Sequence, residues 1–302
     1  MTNTQTLDKT TKIGFIGAGN VGGSLALAMS NAGYPVIAAG SRTFASAQTF
    51  AGRISGCTAY ENIQEVADRT DFVFISTSDD AIKVVCDQIS WREGQGVAHC
   101  SGAASVDLLQ SAADQGAIPG AFHPLQAFNS VENGVKAIPG VTFGIEGNDE
   151  MQSYLRGIAA DIGGIPISLR PQDKVLYHIS GVLMGNLLAV LASVAASMWE
   201  KFDHTRDEGV RALSPMMPAV ASNLDSVGVP QAVAGPYPRG DIGTVRKHLE
   251  AVSSFAPEYL PLYIELALAG LPFAVEKGAL PPKRSQEIKE LLESYRATNV
   301  EN

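Results

Sequence analysis

The sequence predicts an α/β protein in which a doubly wound parallel sheet is followed by an all-α C-terminal domain. An apolar strand pattern at residues 13–16 runs directly into a G-x-G-x-x-G that begins at Gly17. Short apolar runs then alternate with helical patterns as far as residue 170, which is typical of parallel strands joined by crossover helices. From residue 171 onward, helical patterns continue without strands. We therefore expect two domains, at residues 1–170 and 171–302.

The glycine motif indicates a dinucleotide-binding turn between a strand and a helix. Gly17 permits the tight turn, Gly19 lets a pyrophosphate approach the backbone, and Gly22 lets the helix pack closely on the sheet. The N-terminus of the following helix directs free N–H groups at the phosphates. The residues predicted to bind the cofactor at this turn are Gly17, Ala18, Gly19, Asn20, Val21 and Gly22.

The other elements follow from the periodicity of the apolar residues. Further strands are predicted at residues 35–39, 71–76, 96–100, 117–123, 141–145 and 165–169, with helices at 80–89, 105–115 and 150–162. In the second domain, helices are predicted at residues 172–202, 205–225, 241–255, 258–276 and 282–297.

The residues after the second strand favour NADP over NAD as the cofactor. An acidic side chain at this position would bond the ribose 2′-hydroxyl of NAD, whereas an arginine holds the 2′-phosphate of NADP. The chain has Ser41 and Arg42 here, in the stretch Gly-Ser-Arg-Thr. The alternative interpretation is that Arg42 is a solvated loop residue.

Hydroxyl side chains follow the strand at residues 71–76. Ligands of open parallel sheets bind outside the carboxyl ends of the strands. Ser76, Thr77 and Ser78 are therefore predicted to lie along the cofactor, and Asp79 is expected to cap the next helix.

The next two strands also end in residues that can carry chemistry. We expect His99 to be structural because it lies inside its strand, while Ser101 follows that strand and faces the crevice. His123 ends the following strand, where a histidine can transfer a proton near neutral pH. The alternative for His123 is a turn residue that Pro124 holds in place.

Two polar residues interrupt the long helix predicted at 172–202. His178 and Asn186 are eight residues apart and so lie on broadly the same face. We interpret His178 as a proton donor and Asn186 as a residue that orients the substrate. A buried hydrogen-bonded pair is the structural alternative.

A loop rich in glycine and proline, at residues 235–241, precedes the helix at 241–255. Arg239 in this loop is predicted to be an anion anchor for the substrate or a partner of Asp241. Asp241 itself is expected to cap the helix.

The composition excludes several other classes of protein. The net charge is −9, from 22 basic and 31 acidic residues, which argues against a nucleic-acid surface. The three cysteines fit neither a disulfide framework nor a zinc site, so we expect reduced thiols and no metal. Residues 1–11 are polar and predict a loose tail rather than a signal peptide. The expected location is the cytoplasm.

Residues 175–199 contain no Asp, Glu, Lys or Arg and are long enough to cross a membrane. The serines, the histidine and the asparagine in this segment argue against a membrane span. A helix that is apolar on every side is otherwise buried against protein. We expect other helices to cover it, some of them from a second subunit of a soluble homodimer.

These motifs resemble a two-domain family with an N-terminal Rossmann-like domain and a C-terminal helical domain of unknown function. The matching stretches are residues 17–22, 99–102, 123–125, 177–186 and 235–248. More broadly, the chain is similar to the superfamily of pyrroline-5-carboxylate reductase and β-hydroxyacid dehydrogenases. The β-hydroxyacid dehydrogenases have a catalytic lysine and asparagine on the first long helix of the second domain. Here His178 and Asn186 lie in that region without the family spacing, and Lys174 is one turn earlier.

The resemblance implies NADP-linked reduction or oxidation, and dimers that form through the helical domain. Together with the residues, it predicts hydride transfer to or from a small carbonyl, hydroxyl or imine substrate. Two alternatives remain open at this point. One is a regulator that binds NADP(H) without turnover, and the other is a reductase for a deazaflavin coenzyme. The helical domain argues against the second, because those enzymes contain little beyond the first domain.

Overall fold

A computed structural model describes residues 7–298 of the chain. The described residues form two compact units, one that ends at residue 186 and one that begins at residue 187. The boundary predicted at residue 170 is close to the end of the sheet at Ser168. The units divide later because Lys174 and Tyr177 hydrogen-bond to Ser101 and His123 of the first unit.

The first unit is built on one eight-stranded sheet, of which seven strands were predicted and the third was not. The strands are β1 (Ile13–Ile16), β2 (Val36–Gly40), β3 (Thr58–Tyr60), β4 (Phe72–Ile75), β5 (Gly96–His99), β6 (Ile118–Pro124), β7 (Thr142–Gly147) and β8 (Ile165–Ser168). The order across the sheet is β3-β2-β1-β4-β5-β6-β7-β8. The strand order reverses between β1 and β4, which is where open α/β sheets bind their ligands.

The sheet is parallel except at one pair of strands, because β7 runs antiparallel to β6. The predicted doubly wound parallel sheet is confirmed, with this antiparallel pair as its one exception among the described strands. The connection between these strands contains a helix, α6 (Val131–Ala137), as a parallel crossover would. This helix packs instead on α1 (Asn20–Asn31), where Gly134 lies against Ser24.

The other helices of the first unit flank the sheet. They are α2 (Phe44–Ala51), α3 (Ile63–Arg69), α4 (Asp79–Asp87), α5 (Gln110–Ala113), α7 (Asp149–Asp161) and α8 (Lys174–Val182). Two apolar clusters fill the interior, and one contains the stacked rings of Phe15 and Phe74, whose centroids are 5.0 Å apart. Aromatic stacking and burial of this kind stabilise the strands that carry the site.

The second unit is helical, as predicted. Its helices are α9 (Leu188–Ser197), α10 (Arg206–Leu213), α11 (Met216–Val227), α12 (Ile242–Phe255), α13 (Leu260–Glu276) and α14 (Pro282–Thr298). Its core lies between α12, α13 and α14, with Leu249, Ile264 and Leu292 among the buried residues. The single helix predicted at 205–225 is wrong, because the chain breaks at Ser214 and Pro215.

Two segments are long and apolar enough to cross a membrane, judged by length and composition alone. They are Pro171–Phe202 and Pro257–Glu276. Only 6% of the most apolar window of the first is buried within the chain, so its apolar side chains are largely exposed. The prediction that helices of the same chain cover this segment is therefore wrong for the described residues, and coverage by a second subunit stays a prediction.

The N-terminal prediction is only partly testable, because residues 1–6 lie outside the described part. The loose tail is wrong for residues 7–11, where Leu7 and Thr11 are buried.

Candidate functional site

The glycine turn after β1 has the conformation that a dinucleotide-binding turn requires. Gly17 has φ +113°, and a Cβ there would lie 2.6 Å from the carbonyl carbon of Ser76. A Cβ on Gly22 would collide with the Ser76 hydroxyl. That hydroxyl donates a 3.0 Å hydrogen bond to the Gly17 carbonyl, so Ser76 holds the turn itself. Side chains at Gly17 and Gly22 are excluded for reasons of packing.

Gly19 differs, because a Cβ there would meet no atom within 4 Å. Glycine at this position therefore leaves open space in front of the backbone. Gly19 is also the N-cap of α1, and no side chain caps the first turn of this helix. The amides of Asn20, Val21 and Gly22 are thus left for an external acceptor, and an anion suits them.

The cavity beside the glycine turn has a volume of about 460 Å³, which lies within the range of about 300–1,000 Å³ that is typical of ligand sites. It is lined by Gly17, Ala18 and Gly19, by Ser41, Arg42 and Thr43 after β2, and by Ser76, Thr77 and Ser78 after β4. We call it the cofactor cleft. Arg42 is exposed and makes no ion pair with any residue from 7 to 298, and no described acidic residue lines the cleft. Eight of the eleven residues predicted to bind the cofactor thus line one cleft. The other three, Asn20, Val21 and Gly22, form the first turn of α1 beside it and do not line it.

The N-terminus of α4 borders the cofactor cleft. Its N-cap is Ser78, and Asp79 is the first residue of the helix, so the prediction that Asp79 caps it is wrong. Asp79 instead accepts a 2.7 Å hydrogen bond from the Ser101 hydroxyl. This bond joins the end of β4 to the loop after β5.

The segment after β5 forms a tightly bonded loop, residues 101–106, which we call the joining loop. His99 is fully buried; its Nε2–H donates to the Ser105 carbonyl at 3.0 Å, and its Nδ1 accepts from the Ser101 amide at 3.1 Å. The Ser101 hydroxyl also accepts from the Ala104 amide at 3.1 Å. His99 is structural, as expected, and the Ser101 hydroxyl is occupied within the protein.

His123 and His178 lie beside each other against the joining loop. Their ring centroids are 5.9 Å apart in an edge-on arrangement. A Cβ on Gly102 would lie 2.5 Å from His178 Cδ2 and 2.7 Å from His123 Nε2, so a glycine is needed here. The structure therefore brings together two histidines that are 55 positions apart in the sequence, counting from 123 to 178.

Tyr177 fixes the orientation of His123. The Tyr177 hydroxyl donates to the His123 carbonyl at 3.2 Å and lies 3.1 Å from His123 Nδ1. Because the tyrosine has one proton, Nδ1 of His123 is the donor in the second bond, and Nε2 keeps its lone pair. Nε2 therefore faces Gly102 and the neighbouring cavity as an acceptor.

A cavity of about 390 Å³ adjoins the two histidines, and we call it the histidine cavity. Its lining includes His123, His178 and Asn186, together with Leu125 and Met184. The helix makes a π-helical turn at Leu183–Leu187, next to these residues. Such turns are frequent at functional sites. His178 and Asn186 thus line one cavity, as their spacing predicts, although no hydrogen bond joins them.

The electrostatics distinguish the two histidines. Burial lowers the pKa of His123 to about 4, with further lowering by His178 and Lys174. His123 is therefore neutral at neutral pH and suited to accept a proton or a hydrogen bond. His178 is half-buried, and both its ring nitrogens are free of hydrogen bonds to the described residues. The role of His178 as a proton donor stays a prediction.

Sequence reasoning did not assign a role to Lys174. It is 1% exposed, and its ammonium lies 3.7 Å from the buried carboxylate of Glu146 and 3.2 Å from the Ser101 carbonyl. Its position four residues before His178 puts both on one helix face. That spacing was the available indication, but a lysine at the start of a helix ordinarily faces solvent.

Arg239 lies in the second unit. It is exposed, lines a loop cavity of about 440 Å³ with Lys277, and makes no ion pair within the described chain. The prediction that it pairs with Asp241 is wrong in this respect. Asp241 caps α12 as expected, accepting from the amide and the hydroxyl of Thr244 at 3.0 and 2.7 Å. The role of Arg239 as an anion anchor stays a prediction.

The buried His99 predicts that the protein loses stability in acid. Burial lowers the pKa of His99 to about 4, whereas a histidine in the unfolded chain titrates near 6.5. The unfolded state therefore takes up a proton that the native state does not, and stability present above pH 6.5 is lost as the pH falls towards 4. The loss amounts to at most about 3 kcal/mol.

Denaturant unfolding of the parent and of His99→Asn from pH 7.5 to pH 4.5 measures this contribution. Burial also raises the pKa of Glu146, and this group stabilises the fold as the pH falls. The prediction therefore compares how steeply the free energy of unfolding changes with pH in the two proteins. We expect a shallower pH dependence in His99→Asn. Parallel curves would contradict the assignment.

The comparisons with known proteins agree with this fold. Residues 1–124 match the model of the Rossmann-like domain, and residues 141–269 match a domain of unknown function, DUF2520. No curated protein matches the chain in sequence.

Three solved structures illustrate the structural similarity. A candidate NADP oxidoreductase from Bacteroides fragilis has a TM-score of 0.70 and 22% identity, covering 87% of this chain and 99% of its own. A pyrroline-5-carboxylate reductase from Streptococcus pyogenes has a TM-score of 0.61 and 14% identity, covering 94% and 100%. A reductive aminase from Aspergillus terreus, in complex with NADPH and ethyl-5-oxohexanoate, has a TM-score of 0.58 and 18% identity, covering 96% and 94%.

At these identities the similarity establishes a shared fold. The strand order and the glycine turn fit the Rossmann-like domain that the first model describes. The two family models together cover most of the sequence. The chain therefore belongs to the proteins that join a Rossmann-like domain to a DUF2520 domain.

Proposed function

We propose that the protein is an NADP(H)-dependent oxidoreductase that transfers a hydride to or from a small carbonyl, hydroxyl or imine substrate. The observation that carries this proposal is the cofactor cleft, which extends from the glycine turn to Arg42 and to the residues after β4. The Asp79–Ser101 bond then connects the cleft to the loop that supports both histidines. The likeness to a reductive aminase crystallised with NADPH supports the same function.

The residues of the cofactor cleft fit NADP(H). The open space at Gly19 and the uncapped amides of α1 suit a pyrophosphate. Ser41 and Arg42 suit a 2′-phosphate, because a guanidinium and a hydroxyl both donate to phosphate oxygens. Thr77 and Ser78, which also line the cleft, offer hydroxyls to the rest of the cofactor. When bound, the nicotinamide supplies the hydride chemistry.

The proton for the reaction is exchanged with residues that line the histidine cavity. His178 donates to or accepts from the substrate oxygen or nitrogen, and His123 offers the lone pair of Nε2 to a substrate hydrogen. Asn186, on the same cavity, orients the substrate through its amide. Arg239 would anchor an anionic group where the substrate carries one.

Arg42→Ala tests the cofactor preference. We expect the parent to bind NADPH more tightly than NADH, and the variant to lose about tenfold or more in NADPH affinity, with NADH unchanged. Removing a charge-assisted bond to phosphate costs about 1.5–3 kcal/mol. Calorimetric titration of both proteins with both cofactors measures the effect, with Arg53→Ala as a control outside the cleft. Equal affinity of the parent for the two cofactors would refute the assignment of Arg42.

We also propose that the protein is a soluble, cytoplasmic homodimer that forms through the helical region. Leu176 and Met184 are 73% and 64% exposed, and α11 buries none of its side chains although Met216 and Val220 lie on it. Exposed apolar faces of this extent are typical of surfaces that pair in solution.

Light scattering at micromolar concentration tests the assembly. We expect twice the chain mass of 31.8 kDa, and a shift towards the monomer in Val220→Glu, because a charge on α11 opposes burial of that face. Ile165→Glu, which changes an equally exposed apolar residue in β8 of the first unit, is the matched control and should remain dimeric. A parent protein that is monomeric without detergent would count against the dimer.

A further inference from the structure

A buried ion pair lies against the joining loop. The side chains of Lys174 and Glu146 are 1% and 5% exposed, and Nζ of Lys174 lies 3.7 Å from Oε2 of Glu146. Burial raises the pKa of Glu146 and lowers that of Lys174, so each side chain depends on the other to remain charged. Oε2 of Glu146 has no hydrogen-bond partner among the described residues. A pair that is costly to bury and incompletely bonded calls for a role other than stability.

The pair is bonded to both ends of the joining loop. At the start of the loop, Nζ of Lys174 donates to the Ser101 carbonyl at 3.2 Å. At its end, the Val106 amide donates to Oε1 of Glu146 at 3.3 Å. One ion pair therefore fixes the position of six consecutive backbone residues relative to β7 and α8.

The joining loop in turn contacts the residues proposed to act. Gly102 lies against the rings of both His123 and His178, at distances that leave no room for a Cβ. The Ser101 hydroxyl reaches Asp79 beside the cofactor cleft at 2.7 Å. A displacement of the loop would therefore move the histidines and the end of the cleft together.

Lys174 is also coupled to His178 through the helix. It is the one residue of α8 that is fully buried, and His178 follows it by four positions. Seating the lysine against Ser101 thus sets both the rotation of α8 and the direction in which His178 points. The same segment carries Tyr177, which orients His123.

We propose that the Lys174–Glu146 pair is a positioning device that holds His123 and His178 in place through the joining loop and α8. This inference rests on the proposed function only in assigning a use to the two histidines. Lys174 is a positioning residue, because its ammonium group contacts Ser101 and Glu146. Lys174 is not among the residues that line the histidine cavity.

The test is a titration of the histidines by NMR, which does not depend on turnover. The charged and titratable groups that face His123 are His178, Lys174, Asp79 and His99, with Tyr177 on Nδ1. The chain has five histidines, so their signals can be assigned by single substitutions. In Lys174→Met we expect the His123 pKa to rise above its value of about 4, because a nearby positive charge is lost and the loop loosens.

The signals of His204 and His248, in the second unit, are internal controls and should not move. Turnover should fall tenfold to a hundredfold in Lys174→Met, because a misplacement of about 1 Å has that effect. Lys289→Met is the matched control, since Lys289 pairs with Glu293 on the surface of α14. It should leave both histidine titration and turnover as in the parent.

A lower melting temperature without any change in the His123 and His178 signals would show a purely structural pair and overturn the inference. If Lys174→Met does not fold, Glu146→Gln serves instead, because the carboxamide oxygen can still accept from Val106. We expect it to shift both histidine signals and to lower turnover about tenfold; unshifted signals would overturn the inference. Histidine signals that respond in a protein without turnover would support the positioning and reject the proposed function.

Discussion

His178→Ala is expected to lower turnover by about 10²–10⁴ while leaving NADPH affinity near that of the parent. The reason is that His178 lines the histidine cavity with free ring nitrogens, whereas His123 is held neutral and is bonded to Tyr177. Steady-state rates and a cofactor titration on the same preparation measure both parts of the expectation.

The control for this substitution is His204→Ala, because His204 is exposed in the second unit and contacts the ring of Trp199 edge-on. It should retain parental turnover. A melting curve of His178→Ala separates the two interpretations of the residue, since a structural histidine would lower the melting temperature and affect the rate only in proportion. Full turnover in a stable His178→Ala protein would remove His178 from the site and assign the proton to His123.

The second large effect concerns the glycine turn, where two alanine substitutions should act differently. Gly22→Ala should destabilise the fold by about 1–3 kcal/mol, because its methyl group collides with the buried Ser76 side chain. Gly19→Ala should cost at most about 1 kcal/mol, the usual effect at an N-cap, since no atom lies within 4 Å. It should nevertheless weaken NADPH binding by tenfold or more, because the methyl group occupies the space proposed for the pyrophosphate.

Chemical unfolding and NADPH titration of the two variants decide this prediction. Gly157→Ala in α7 is the matched control, because a Cβ there also meets nothing within 4 Å and lies in a helix away from the cleft. It should stabilise the fold slightly and leave NADPH affinity unchanged. Parental NADPH affinity in Gly19→Ala would show that the pyrophosphate does not lie at this turn.

The sheet could be predicted from the sequence where its strands are buried on both faces. The four residues of β1 and the four of β4 are all buried, so each reads as a continuous apolar run. β3 was missed because it has three residues and none is fully buried. The direction of β7 was missed because pairing depends on where α6 packs, and a single short helix between strands suggests a parallel crossover.

Site residues could be predicted where they directly follow a strand, because the carboxyl ends of parallel strands face the ligand. Gly19, Arg42 and Thr77 follow strand ends, and the structure places all three on one cleft. His123 and His178 required the packing of α8, which the sequence does not specify. Lys174 and Glu146 were missed for the same reason, since only tertiary contacts bury two charges that would otherwise face water. The hydroxyl of Ser101 had no visible partner in the sequence, yet Asp79 accepts from it.

The central claim is that this chain couples NADPH to the reduction of a small substrate, and turnover tests it most directly. The measurement follows the absorbance of NADPH during incubation of the parent protein with a panel of small carbonyls and imines, with NADH in parallel. We predict substrate-dependent oxidation that is faster with NADPH and is lost in His178→Ala. Tight binding of NADPH without oxidation across the panel would contradict the account and favour a regulator that senses the cofactor. Failure to bind NADPH would contradict the assignment of the cofactor cleft itself.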